Sequence, residues 1–258
     1  VTRVCIIGNS HLAAWKLGWD RLREGAKDFD VTFFGSPRNT MHALSVQEGR
    51  LVPTLPELQN SLVFTSGGTG EIVAADYDLF CLVGLGYGAR WIVDLHRDHR
   101  AESHGCRVGT FTLVSDACFE AAIRGTFSDM LALQTYRKLR EITAAPVVLA
   151  PHPLPSLDIM SSEDPQETHW RVVAEAGDDR SVVELMDRVN RGWQGLRILP
   201  QPADTLAQPL FTQPRFSLGS VRLSQGFQHK HPESDHFHMN ADYGAICMEA
   251  LMAAVKQP

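Results

Sequence analysis

The sequence predicts a three-layer α/β/α sandwich around a parallel sheet of about five strands, with a β-hairpin insertion. Three observations predict it. Short, continuously apolar runs recur along the chain, as expected of parallel strands covered on both faces. Segments with helical spacing separate these runs. The proline-rich stretches between them do not divide the chain, because both sides are needed to complete one sheet. Residues 1–258 therefore read as a single domain, with the insertion at about 45–75.

Residues 4–7 form the first predicted strand and residues 31–34 the second. Between them Leu12, Trp15, Leu17, Trp19 and Leu22 are spaced for one broad helix face. The rhythm breaks at residues 51–74. There Pro53 and Pro56 precede Ser66-Gly67-Gly68-Thr69-Gly70, a turn that predicts a hairpin between residues 62–64 and 72–73. Residues 79–83 are the third strand. Residues 117–142 carry the longest helical pattern, interrupted by Gly125, and residues 147–150 are the fourth strand. A loop rich in Pro, Ser and acids follows at 151–167. Residues 181–193 predict a helix through Val183, Leu185, Met186 and Val189. Residues 197–199 are the fifth strand, 200–214 a loop with four prolines, and 240–255 the closing helix.

A net charge of -6 leaves no basic footprint for nucleic acid or an anionic membrane surface. No run of about 18 apolar residues predicts a transmembrane helix. The first residues enter a strand pattern without the charged and apolar regions of a signal peptide. Cys5, Cys81, Cys106, Cys118 and Cys247 are scattered, lack Cys-x-x-Cys spacing and read as buried free thiols. A reducing compartment, the cytoplasm, is the expectation.

Two fragments at opposite ends carry the chemistry. Gly8-Asn9-Ser10-His11 follows the first strand, which places Ser10 at a strand-to-helix turn with free N–H groups nearby. The competing structural role is an N-cap of the helix. Asp235-His236-Phe237-His238 opens the last helix, and its i, i+3 spacing presents Asp235 and His238 to one side. His238 can act as general base for Ser10 with Asp235 orienting it. The rival is a metal site from His229, His231, His236 and His238 with Glu233 and Asp235, but His-x-His spacing alone fixes no tetrahedral geometry. No metal or cofactor is expected.

With Asn240 and Gly244 after it, the Asp-x-x-His fragment resembles the last block of the SGNH (GDSL-type) hydrolases, and Gly8-Asn9-Ser10 resembles their first. The resemblance implies that family's flavodoxin-like fold, with Ser10, His238 and Asp235 as a catalytic triad acting through an acyl-enzyme. It also implies three oxyanion donors. The first is the N–H of Ser10, and the second falls on Gly35 in Phe34-Gly35-Ser36-Pro37. The third should be an Asn side chain within Gly84-Leu85-Gly86-Tyr87-Gly88, where Gly88 stands instead. Losing one such donor costs about 2.7–4 kcal/mol of transition-state stabilisation. The Gly86–Gly88 backbone, Asn39 and Arg90 are candidate substitutes, and His152 in the loop after the fourth strand is placed to wall the pocket. The spacing Gly84-x-Gly86-x-Gly88 is not a dinucleotide fingerprint.

The leading expectation is a serine esterase acting on a small-molecule or carbohydrate ester, such as an O-acetyl group on a sugar. The alternatives are an O-acyltransferase using the same triad, and a catalytically weak SGNH-like protein that binds a carbohydrate or a partner.

Overall fold

The computed structural model describes residues 1–222 and 229–256. Five parallel strands form the central sheet: β1 (Thr2–Gly8), β2 (Phe29–Gly35), β3 (Leu79–Val83), β4 (Val147–Ala150) and β5 (Arg197–Ile198). Their order is β5-β4-β3-β1-β2. Gly8 pairs with both Gly35 and Val83, and Val83 with Ala150, so four strands end on one line. The order reverses at β1, and the crevice beyond its carboxyl end is where open α/β sheets place ligands.

The strands alternate between two cores because successive side chains point to opposite faces. Val4 and Ile6 pack with Trp15, Trp19, Tyr243 and Met248 of α1 (Leu12–Leu22) and α8 (Ala241–Lys256). Cys5 and Ile7 pack with Leu58, Leu62, Ile92 and Leu133 on the other side. Helices α2 (Pro56–Ser66), α3 (Arg90–Asp98), α4 (Asp116–Ser128), α5 (Leu131–Ile142), α6 (Thr168–Glu175) and α7 (Asp179–Arg191) supply that second layer.

Helices α1 and α8 touch backbone to backbone. A methyl group at Gly18 would fall on the Ala245 N–H, and one at Gly244 on the Ala14 carbonyl. This close approach joins the two ends of the chain. The segment before α1 and the segment before α8 consequently meet at one edge of the sheet.

The insertion differs from expectation. Its hairpin pairs Leu44–Gln47 with Arg50–Pro53, and Ile72–Val73 adds a third strand. Residues 62–64 lie in α2 instead. Pro56 opens that helix, Leu58, Leu62 and Thr65 form its buried face, and Gly67 at φ 83° ends it. The glycines predicted as a hairpin turn are thus a helix stop. The segment 117–142 is two helices, broken at Asp129-Met130, while Gly125 stays within α4. The proline-rich 200–214 segment holds a short antiparallel pair, Leu206–Gln208 with Phe211–Thr212. All five cysteines are free; four are buried and Cys118 is exposed. Among the described residues no helix is long and apolar enough to cross a membrane.

One buried polar pair ties the α3 layer to α7. His96 Nε2 and Asp178 Oδ2 are 3.0 Å apart, and Asp178 also accepts the N–H groups of Gly105 and Cys106. Burial pushes the His96 imidazole down to about 4, against the upward pull of its hydrogen bond to Asp178. A histidine whose folded pKa lies below its unfolded value contributes stability above pH 6.5 that is lost as pH falls towards 4. The expected loss from His96 is about 3 kcal/mol. Urea unfolding at pH 7.5 and 4.5 reads it directly. The fall should shrink in His96→Gln, and an identical fall in that variant would refute the assignment.

Candidate active site

Ser10 leaves the end of β1 just before α1, whose N-cap is His11, with no side-chain cap. Ser10 is therefore not the cap. Its Oγ lies 2.9 Å from His238 Nε2, across 228 residues of sequence. His238 Nδ1 is 2.8 Å from Asp235 Oδ2. A carboxylate only accepts, so Nδ1 carries the proton and Nε2 is left to accept from the serine hydroxyl.

Asp235 is held firmly. Its Oδ1 accepts the N–H groups of Phe237 at 3.0 Å and His238 at 2.9 Å. Burial opposes its ionisation, but the hydrogen bonds and charge of His238 and these N–H groups outweigh that and hold its pKa well below the usual carboxylate range. The loop is fixed at both ends. Ser156 donates its N–H to the His236 carbonyl at 2.7 Å. Asn240 Oδ1 accepts from Asp242 N–H at 3.0 Å and Tyr243 N–H at 3.2 Å, capping α8.

The turn after β3 is crowded by a histidine. Gly84, Leu85 and Gly86 all have positive φ, of 71°, 49° and 84°. His152 is positioned by its own N–H, which donates to the Tyr87 carbonyl at 2.7 Å. A side chain at Gly88 would come within 2.9 Å of His152 Cβ, and one at Gly84 would overlap its ring. Where the family resemblance called for an amide, at Gly88, the Cβ and main chain of His152 stand against the glycine, while its ring lies over Gly84. Its Nε2 accepts from Gly86 N–H at 3.2 Å and pairs with Asn9 Nδ2 at 3.1 Å. Burial, aided by the charges of His238 and Arg90, pushes His152 down to about 4, so it is neutral near pH 7. With Nε2 accepting, that nitrogen offers no hydrogen to an oxyanion.

Other expected donors fare differently. The Gly35 N–H donates to Thr65 Oγ1 at 3.0 Å, which occupies it within the fold. Asn39 is exposed on the wall of the cleft beside Ser10, and its carbonyl accepts from His42. Arg90 stacks over Phe237 at 5.2 Å and pairs with Asp94 at 3.5 Å. Asn9 is the amide closest in sequence to Ser10. Its Oδ1 accepts His11 N–H at 3.3 Å, which directs its Nδ2 to His152 and leaves one Nδ2 hydrogen over. Asn9, His11 and Thr65 were not singled out as site residues from sequence, and His231 entered only as a ligand of the metal alternative. Asn9 carried a signal as a polar neighbour of the serine, and His231 through its His-x-His spacing.

Ser10 and His238 line two clefts. One, of about 690 Å³, is walled by Asn39, Trp91, His152, Trp170 and Phe237. The other, of about 730 Å³, is walled by Ser36, Thr40, Thr65, Arg222 and His231. Of the four histidines of the metal alternative, two come together and two lie apart. His231 and His238 stack, His236 faces Glu167 at 3.8 Å, and His229 lies on the exposed pair Val221–Arg222 and His229–Lys230. The ligand atoms of His231, Asp235 and His238 lie within 4.8 Å of one another, close enough to hold a metal ion, and Asp235 Oδ2 is also within hydrogen-bond reach of both ring Nδ1 atoms.

No protein-family model matches the chain, and no curated protein does. Several solved structures are similar to it in chain path. A lipase from Streptomyces rimosus is 12% identical, with 98% of this chain and 100% of that one covered and a TM-score of 0.48. The periplasmic domain of a lipopolysaccharide acetyltransferase from Salmonella ser. Paratyphi A is 11% identical, covering 98% and 83%, also at 0.48. A lipase from a goat rumen metagenome is 9% identical, covering 98% and 97%, at 0.44. At such identities the likeness concerns chain path alone.

Proposed function

We propose that this protein is a divergent SGNH-type serine esterase in which Ser10, His238 and Asp235 cleave a carboxylic ester. The observation that carries the reading is the unbroken hydrogen-bonded chain from Ser10 through His238 to Asp235. Ser10 Oγ attacks the ester carbonyl as its proton passes to His238 Nε2, and Asp235 stabilises the imidazolium. The carbon–oxygen bond to the alcohol then breaks, and His238 returns the proton to the leaving oxygen. Water repeats the sequence on the acyl-enzyme and frees the acid. The Ser10 N–H and the spare Nδ2 hydrogen of Asn9 are the donors proposed for the oxyanion. Two donors in place of three make the enzyme slow. The cleft wall supports a sugar ester, since Trp91 is 43% exposed there beside Asn39, Asp94 and Gln166.

A fluorophosphonate probe tests the nucleophile. Stoichiometric labelling is expected, and Ser10→Ala should abolish it; absence of labelling in the folded chain would end the esterase reading. A second reading, O-acyl transfer, is favoured by the two clefts that meet at Ser10, one with room for an acceptor alcohol. Turnover of p-nitrophenyl acetate with and without an acceptor sugar separates the two.

A further inference from the structure

A second histidine reaches the carboxylate of the triad. His231 Nδ1 lies 2.9 Å from Asp235 Oδ2, the same oxygen that takes the His238 Nδ1–H. The His231 and His238 rings stack with centroids 3.9 Å apart and 13° between planes. The His231 side chain is 4% exposed, and its Nε2 is buried without a partner among the described residues. Arg222 Nε is 3.4 Å from His231 Nδ1. A ring nitrogen that donates to a carboxylate cannot also accept from a guanidinium. The shorter contact, to an anion, assigns the proton to Nδ1.

We infer that His231 is a positioning residue of the site: by sharing Asp235 Oδ2 it loosens the carboxylate's hold on His238 and keeps Nε2 free for the Ser10 proton. This rests on the reading of His238 as the base. An oxygen that accepts two N–H groups divides its charge between them, so removing one strengthens the other. Burial, then the neighbouring His238 charge, lowers the pKa of His231 and favours its neutral form, in which it does not cancel Asp235. The other titratable or charged groups around His238 are His11 at the start of α1, stacked at 4.8 Å, His152 after β4, and Arg222.

Two variants test this. His231→Phe keeps a stacked ring and removes the donor, while His231→Asn restores a donor near the Nδ1 position. In His231→Phe the acid limb of probe labelling at Ser10 should move to higher pH by about half a unit or more. The Nδ1–H proton resonance of His238 should move downfield, and both changes should reverse in His231→Asn. A folded His231→Phe chain with limb and resonance unchanged overturns the proposal. Nitrogen-15 spectra of the unsubstituted chain decide even where that variant does not fold. A proton on His231 Nδ1 is expected, and a proton on Nε2 overturns the assignment. If Ser10 takes no probe, the esterase reading falls, while the tautomer and the resonance still decide this one.

Discussion

Asp235→Asn is expected to lower kcat for p-nitrophenyl acetate by about 10⁴ while the chain stays folded. The asparagine can keep its Oδ1 on the N–H groups of Phe237 and His238, so the loop retains its main ties. Its NH₂ would then replace Oδ2 and confront the His238 Nδ1–H, donor against donor. The imidazole escapes by moving its proton to Nε2, which leaves nothing to accept from Ser10. The variant should therefore bind the substrate but react slowly, with KM altered far less than kcat. Steady-state kinetics beside a urea melt provide the check, and a loss smaller than tenfold would show that Asp235 does not set the tautomer.

Gly244→Val is expected to have the largest effect on folding. Valine there would drive its side chain into the Ala14 carbonyl of α1, where no rotamer avoids backbone. Overpacking of a well-filled interior costs about 1–3 kcal/mol and sometimes more, and a clash with main chain belongs at the upper end. The consequence reaches the site. Ser10 stands two residues before α1 and His238 three before α8, so separating the helices lengthens the Ser10–His238 contact. Activity should fall further than the folded fraction measured by circular dichroism. Equal falls would mean that the helix contact contributes stability without aligning Ser10 and His238. Gly244→Ala should show the same two effects at smaller size.

The fold was largely legible because its signals are local. All five strands of the central sheet begin and end within a few residues of their apolar runs, since continuous burial on both faces demands such runs. The insertion was misread for a local reason as well. Val63, Phe64 and Thr65 favour strands, but Pro56 at the first turn and the left-handed Gly67 bound a helix, and those boundary signals outweigh the β-formers between them.

The sequence by itself determined which groups exist for chemistry and where the chain turns. Ser10 follows a strand, Asp235 stands three residues before His238, and Gly88 occupies the position of the expected amide. Tertiary structure decided how these groups meet. It brought Ser10 and His238 together by pressing α1 against α8, and it set His152 into the space beside Gly88. It also gave the Gly35 N–H to Thr65 and placed His231 beside Asp235. The physical reason is range. Apolar periodicity and turn chemistry act over a few residues and leave a trace in sequence. A hydrogen bond between side chains hundreds of residues apart depends on packing contacts that no local pattern records.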